Sequence, residues 1–141
     1  AGARRRQAYE DIITRVGVQP LPGYVQFSDW SFDGGHAAML RLLDLPERPT
    51  AVMVVNDLMA LGAMSAIQER NLAIPQDIAI IGYDDIPAAT WVQPQLTTIA
   101  QYPGEMGQAL ARAIFDRLEG DYDGPGRRYE VPCRFIERGS A

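Results

Sequence analysis

The sequence has few of the side chains that metal centres and disulfides need. Cys133 is its only cysteine and His36 its only histidine. A single cysteine forms no internal disulfide, and it fits a reducing compartment. One histidine and one distant cysteine do not make a zinc-type metal site, so we expect His36 to lie near the start of a helix.

Lysine is absent as well, and the overall charge is acidic. All 13 basic residues are arginine, and the net charge is −5. This balance argues against a chain that grips a nucleic-acid backbone on its own. No apolar run approaches the ~20 residues that a membrane helix needs, so no membrane association is predicted.

Motifs that carry catalysis are also missing. The sequence contains no glycine-rich phosphate loop, no C-x-x-C zinc spacing and no nucleophile elbow. The neighbouring carboxylates Asp84 and Asp85 point apart in an extended chain, so they cannot face each other across a substrate. We therefore expect neither an enzyme nor a bound cofactor.

The composition is that of one soluble globular domain. Its 141 residues suffice for one core but not for two comfortable domains, and 47% of them are hydrophobic. Apolar periodicity predicts helices over 4–16, 34–43, 57–70 and 104–119. Short apolar runs predict strands over 24–27, 51–55, 78–83, 96–100 and 129–137.

Two of the predicted strands end abruptly in polar residues. The strand at 51–55 runs into Asn56 and Asp57, and the next strand along the chain runs into Asp84 and Asp85. Short apolar runs separated by a helix-length segment indicate buried parallel strands in a βαβ unit. Ligands in such sheets collect outside the carboxyl ends of the strands. The pattern therefore predicts a small-molecule site.

Six spaced segments carry a family resemblance. The strongest are RPTAVMVVNDLMALGAM at 48–64, IPQDIAIIGYDD at 74–85 and QLTTIAQ at 95–101. Weaker ones are RRQAY at 5–9, SDW at 28–30 and VPCRFIERGS at 131–140. In their order along the chain, these segments resemble the effector-binding and dimerisation domain of the LacI/GalR family of transcriptional regulators.

The resemblance implies an α/β fold of the periplasmic-binding-protein-like type I, with a parallel βαβ sheet flanked by helices. Only the C-terminal part of that domain is expected here. Residues 1–103 would form the C-terminal effector-binding subdomain, 104–119 a crossover helix of a mostly missing N-terminal subdomain, and 120–141 a return strand and tail. The helix-turn-helix head and the opening strand of the second subdomain are expected to be absent.

Two candidate ligand-binding residues lie before the central strands. Arg5 occupies the first turn of its helix, where the helix dipole disfavours a cation, and its guanidinium can hold paired hydroxyls or a carboxylate. The family's matching arginine contacts the effector, although Ala8 stands where glycine is usual; the alternative is a solvated basic face over 4–6. Trp30, in a polar loop, can stack on a sugar or a purine or cap the local core, and the resemblance favours stacking.

The other candidates follow the strands. Asn56 or Asp57 is expected to cap the next helix, and if Asp57 does so, Asn56 offers a donor and an acceptor to a ligand. Asp84 resembles the family's carboxylate that accepts hydrogen bonds from hydroxyls or amines, whereas Asp85 is predicted to be a turn residue. Gln101, at the crossover between subdomains, completes the predicted ligand set.

The helix predicted at 57–70 is apolar on two faces, which indicates burial on both. One face covers the sheet, and the resemblance places the other in a homodimer interface. The residues predicted for that interface are Leu61, Met64, Gln68, Trp91 and Val92. The alternative is a second covering layer within the chain.

The resemblance implies a cytoplasmic, ligand-responsive transcriptional regulator whose effector is sugar-like or nucleoside-like. Operator DNA would be bound only through an N-terminal domain outside this chain. The alternative is a periplasmic sugar-binding protein of a transport system, which shares the fold and the site. The dimer-type helix and the closing IERGSA segment favour the regulator, and an α/β enzyme ranks last because no catalytic set is visible.

Overall fold

A computed structural model describes residues 2–19 and 21–141 of the chain. Its helices are α1 (Gly2–Arg15), α2 (Phe32–Leu43), α3 (Asp57–Glu69) and α4 (Pro103–Leu118). Its strands are β1 (Ala51–Met53), β2 (Ala79–Ile81), β3 (Thr98–Ala100) and β4 (Arg134–Ile136), and a short 3₁₀ turn spans Pro87–Thr90.

The strands place their carboxyl ends side by side. β1 pairs with β2 in parallel, and β2 is joined to the β3 segment by the parallel bridges Ile81 to Thr97 and Asp84 to Ala100. β4 runs antiparallel to β3. The predicted βαβ unit is therefore confirmed, with α3 as its crossover helix, and the chain has the α/β architecture that the sequence predicts.

The core lies between α2, α3 and the strands. Its fully buried members include Met39, Ile67, Ile78, Ile80 and Leu96. Two glycines let α2 and α3 approach closely, because side chains there would collide with backbone. A Cβ on Gly35 would lie 2.2 Å from the Met59 carbonyl oxygen, and one on Gly62 would lie 2.0 Å from that of Phe32.

Most predicted elements differ from the observed ones by one or two residues at their ends, whereas the strand predicted at 24–27 is missing from the described chain. Residues 24–27 form no strand within the described part of the chain; there Gln26 donates to the Gly23 carbonyl at 2.7 Å and accepts from Arg41 Nε at 2.7 Å. α2 begins two residues earlier than predicted because Ser31 Oγ accepts from the Gly34 backbone N–H at 2.9 Å. The strand predicted at 129–137 is reduced to Arg134–Ile136.

α1 and α4 lie outside this core. No residue in either helix, both of which fall within the described ranges, is buried. Ile12 on α1 and Leu110, Ile114 and Leu118 on α4 expose more than half of their surface. Apolar helix faces of this kind normally pack on another element.

Candidate ligand-binding site

Polar side chains from three adjacent strand ends meet at one edge of the sheet. Asn56 follows β1, Asp84 follows β2 and Gln101 follows β3. The Gln101 side-chain amide donates to Asp84 Oδ1. Because β1, β2 and β3 are neighbours with one direction, Asn56 and Asp84 stand at the same edge, as the site hypothesis requires.

Arg5 reaches this edge from α1. Its Nη1 donates to the carbonyl oxygen of Val55, the last residue before Asn56. Its guanidinium carbon lies 3.5 Å from the centre of the Tyr83 ring, a cation–π arrangement. The ring fixes the guanidinium close to Asp84. Tyr83 is not among the residues that the sequence predicts for this site.

Trp30 forms the side of the site next to β1. Its carbonyl oxygen accepts a long 3.4 Å hydrogen bond from Asn56 Nδ2, and its side chain is 45% exposed. Its backbone is left-handed, with φ of 70°. Asp29 holds this turn by accepting from the Ser31 N–H at 3.1 Å and the Ser31 hydroxyl at 2.6 Å, and these bonds lower the pKa of Asp29.

Of the two residues that the sequence offers as the cap of α3, Asn56 and not Asp57 takes this role. Asn56 is the N-cap of α3, and its Oδ1 accepts from the Met59 N–H at 2.8 Å. Its Oδ1 is thus engaged in the cap, and its Nδ2 makes the long bond to the Trp30 carbonyl oxygen. Asp57 instead turns inward and is fully buried, where it accepts hydrogen bonds from Thr98 Oγ1 at 2.5 Å and the Ile86 N–H at 3.0 Å.

Asp84 has an altered acidity. Burial raises its pKa most strongly, the hydrogen bond from Gln101 lowers it, the charge of Asp57 raises it and that of Arg5 lowers it, for a net increase above the ordinary value. A half-buried carboxylate is a strong acceptor for hydroxyl groups when it is ionised.

Asp85 has a left-handed backbone, with φ of 58°, and its side chain makes an ion pair. Its Oδ1 lies 2.6 Å from Arg138 Nη2, and Arg138 also donates to the Leu96 carbonyl oxygen at 2.8 Å. Asp84 and Asp85 therefore face different partners, Gln101 and Arg138. Because the two carboxylates share no common space, they form no acid–base couple.

Left-handed backbone is concentrated around these residues. Trp30, Asp84, Asp85 and Tyr102, which follows Gln101, all have positive φ values, at 70°, 125°, 58° and 50°. Each such non-glycine conformation costs about 1–3 kcal/mol, and such residues cluster at functional sites. The arrangement supports a ligand-binding role for this edge.

The residues predicted for a dimer interface lie around a shallow groove elsewhere on α3. Leu61, Met64, Gln68 and Val92 line it together with Phe32, Ser65 and Gln93, and its volume is about 310 Å³. The prediction that Leu61 and Met64 point outward is wrong, because they are only 9% and 2% exposed. Val92 and Gln93 line the same groove, and Gln68 Nε2 donates to the Gln93 carbonyl oxygen at 3.2 Å. Trp91 is 78% exposed beside this groove.

The fold agrees with a comparison to known protein families. A family model described as a periplasmic binding protein-like domain matches residues 1–141. The chain belongs to this family. Within it, the relatives below identify the chain with the effector-binding domain of LacI/GalR-type regulators.

Two curated relatives are repressors from Escherichia coli strain K12. The HTH-type transcriptional repressor CytR is 40% identical over 136 residues, which are 96% of this chain and 40% of that protein. The ribose operon repressor is 39% identical over 137 residues, covering 97% of this chain and 41% of that protein. The chain therefore spans about two fifths of the length of these relatives. Both are repressors.

A solved structure of the transcriptional regulator CelR in complex with cellobiose is similar throughout the chain. It matches with a TM-score of 0.90 at 32% identity, covering 99% of this chain and 42% of that one. This similarity confirms the periplasmic-binding-protein-like fold of the family.

Two other features complete the description. Among residues 2–19 and 21–141, no group of three or more histidine, cysteine, aspartate or glutamate side chains could hold a metal ion, and His36 near the start of α2 instead bonds Glu69 at 2.8 Å. No helix in the described part of the chain is long and apolar enough to cross a membrane.

Proposed function

We propose that this chain is the effector-binding and dimerisation part of a ligand-responsive, DNA-binding transcriptional regulator. Its effector is a sugar-like or nucleoside-like molecule held by Arg5, Trp30, Asn56, Asp84 and Gln101. The observation that carries the proposal is the convergence of these five residues on one edge of the sheet, where parallel strands present their carboxyl ends.

The chemistry of the site suits a ligand rich in hydroxyl groups. Ionised Asp84 accepts hydrogen bonds from hydroxyls, and Arg5 donates two parallel bonds to a vicinal pair. Asn56 and Gln101 contribute amide N–H donors. Trp30 supplies an exposed ring that covers the apolar face of a sugar or a base. The cellobiose complex of CelR supports the sugar-like class.

We propose a domain organisation in which α4 belongs to a different subdomain from the core. Residues 1–103 are the C-terminal effector subdomain, 104–119 a helix of the N-terminal subdomain, and 120–141 a return strand and tail. The exposed apolar side chains of α4 support its assignment to another subdomain. Ligand binding between the subdomains closes them and shifts the population of the DNA-binding conformation.

The regulator is cytoplasmic and homodimeric in this proposal, with DNA bound by a domain outside this chain. A periplasmic sugar-binding protein is the alternative, since it shares the fold. The repressor relatives and the groove on α3 with Trp91 beside it both support the regulator.

The test is calorimetric titration of a full-length regulator that contains this chain with D-ribose, cellobiose and the four common ribonucleosides. We expect one class to bind, and Asp84→Asn to weaken that binding by about 1–3 kcal/mol because ligand hydroxyls lose a charged acceptor. Asp77→Asn is the matched control, because Asp77 accepts from the Ala73 N–H at 2.7 Å in the loop before β2. Equal affinities for wild type and Asp84→Asn would refute the assigned site.

A further inference from the structure

Asp57 is a carboxylate at the ligand-binding edge whose side chain turns into the protein. It is fully buried, and its two oxygens accept from different parts of the chain. Oδ1 accepts from Thr98 Oγ1 on β3 at 2.5 Å, and Oδ2 accepts from the Ile86 N–H at 3.0 Å. A buried carboxylate that meets two donors is stable only while both bonds hold, so Asp57 ties these two segments to the start of α3.

The same residue is bonded to both ends of the segment Tyr83–Ile86, which carries Asp84 and is called the turn. The Asp57 backbone N–H donates to the Tyr83 carbonyl oxygen at 2.8 Å, and its side chain accepts from Ile86. These two bonds hold the backbone at Tyr83 and at Ile86, on either side of Asp84 and Asp85. The φ values of Asp84 and Asp85 are 125° and 58°. Such conformations persist only when the surrounding structure over-determines them. Asp57 supplies that restraint from inside the protein.

Space for this carboxylate is provided by Gly82. A Cβ on Gly82 would lie 2.2 Å from Asp57 Oδ1 and 3.0 Å from a methyl carbon of Leu96. Any side chain at Gly82 would therefore displace the carboxylate from its position beneath the turn. Gly82 and Asp57 therefore hold the turn together: the glycine leaves room for the carboxylate, and the carboxylate bonds the turn.

The geometry points to Asp57 as a positioning residue, which holds Asp84 in its ligand-binding orientation through the Tyr83–Ile86 backbone and never contacts the ligand itself. This inference rests on the proposed function, because it concerns the same ligand. It adds a role for Asp57 beyond that of a helix-terminal acid. It also explains why an acidic side chain is buried against β3, next to a glycine that gives it room.

The decisive experiment is a double-mutant cycle of Asp57→Ala and Asp84→Asn in the full-length regulator, read by calorimetry with the compound that binds wild type. We expect Asp57→Ala to weaken binding by about tenfold or more, as release of a strained turn predicts. In the Asp84→Asn background it should cause no further loss, because the turn then has no carboxylate to position. Equal factors in both backgrounds, or no loss in either, would overturn the inference.

Asp57→Asn supplies a conservative rescue. Its amide oxygen can still accept from the Ile86 N–H, and its NH₂ can donate to Thr98 Oγ, so we expect affinity within about threefold of wild type. This variant decides the question alone if Asp57→Ala fails to fold. A large loss in Asp57→Asn with the Ile86 amide still protected from hydrogen exchange would contradict action through the turn. Asp77→Ala, which removes a similar carboxylate tie before β2, should leave affinity unchanged.

Failure of this inference can be distinguished from failure of the proposed function. If no sugar or nucleoside in the panel binds wild type, the proposed function fails. Hydrogen exchange then still tests the turn: the Ile86 amide should exchange faster in Asp57→Ala than in wild type and Asp77→Ala. Unchanged exchange would reject the positioning role. If a compound binds but Asp57→Ala leaves its affinity intact, only the inference fails.

Discussion

The altered acidity of Asp84 links ligand binding to stability at the level of a single residue. Its raised pKa, caused first by burial, means that the folded state holds the proton more tightly than the unfolded chain does. Folding stability is therefore lost as pH rises from the ordinary aspartate value through the raised value. Above that range the ionised carboxylate opposes folding, although it is the form that accepts hydroxyl groups in the proposed ligand site.

We therefore expect Asp84→Asn to raise the melting temperature at neutral pH while it weakens ligand binding. The gain should be no more than about 4 °C, because Asp84 is partly solvated and screened. It should disappear below the ordinary aspartate pKa, where wild-type Asp84 is protonated in both states. Thermal melts at several pH values measure this, with Asp77→Asn as control. A lower melting temperature at pH 7 would contradict the stated effect of burial.

Ligand affinity should fall in wild type as pH drops through the raised pKa of Asp84, because protonation removes the charged acceptor. In Asp84→Asn this pH dependence should vanish. The charges of Arg5 on α1 and Asp57 on α3 act on the pKa of Asp84 in opposite directions. Substitutions that remove these charges should therefore move the pH midpoint of ligand affinity in opposite directions. Calorimetric titrations across the pH range provide the measurement, and a midpoint that persists in Asp84→Asn would assign it to another group.

Tyr83 offers a second residue-level test, since its ring and hydroxyl have separate contacts. The ring lies beneath the Arg5 guanidinium, and the hydroxyl lies 3.6 Å from Cys133 Sγ, a contact that raises the pKa of Tyr83. Tyr83→Leu should weaken ligand binding by about 0.5–2 kcal/mol, the range of a cation–π contact. Tyr83→Phe keeps the ring and should bind as wild type does. Equal losses in both variants would exclude the ring as the support for Arg5.

At the level of elements, the sequence predicts the strand-to-helix junctions well and the pairing of side chains poorly. Abrupt endings after β1 and β2 locate Asn56 and Asp84 because apolar runs and their polar ends are local features. The choice between Asn56 and Asp57 as N-cap is not local, because both residue types cap helices and Thr98 decides which one turns inward. The contact between Arg5 and Tyr83 joins residues far apart in sequence and therefore leaves no local signal.

The errors in the predicted elements have similar causes. Residues 24–27 have strand-like composition, but within the described chain they gain no neighbouring strand, and side-chain bonds from Arg41 hold them as a loop. Helical periodicity identifies the second apolar face of α3, but it cannot reveal that Leu61 and Met64 on this face are buried within the chain itself. Local helix geometry decides which residues share a face of a helix, whereas the tertiary fold decides whether that face is buried.

Because Leu61 and Met64 are buried, a substitution at an exposed residue is needed to test the proposed dimer. Leu61→Arg would place a cation in the core of the chain and would unfold it, whereas Trp91 is mostly exposed. We expect Trp91→Arg to shift the full-length regulator from dimer toward monomer without lowering its melting temperature, because an exposed aromatic in an interface contributes strongly to association. Analytical ultracentrifugation measures the shift. Leu110→Arg on α4 is the control for an exposed apolar residue outside the groove, and an unchanged dimer in Trp91→Arg would reject the interface.

At the scale of the whole molecule, the acidic charge argues against DNA binding by this chain itself. The net charge is −5, and affinity for duplex DNA depends chiefly on neutralising phosphates with clustered cations. Several arginines are already engaged: Arg5 with Val55 and Tyr83, and Arg138 with Asp85. A basic surface that tracks a nucleic-acid backbone is therefore not expected on this chain.

We expect the isolated chain to show no sequence-specific binding to duplex DNA at physiological salt, with or without the effector. Fluorescence anisotropy of labelled operator DNA would measure this, with the full-length regulator as the positive control in the same buffer. Any binding at low salt should be weak, should not discriminate between operator and scrambled duplexes, and should vanish as salt is raised, as expected of nonspecific contacts. Salt-resistant discrimination by the chain alone would mean that it reads DNA itself, and would contradict the assignment of DNA binding to a separate domain.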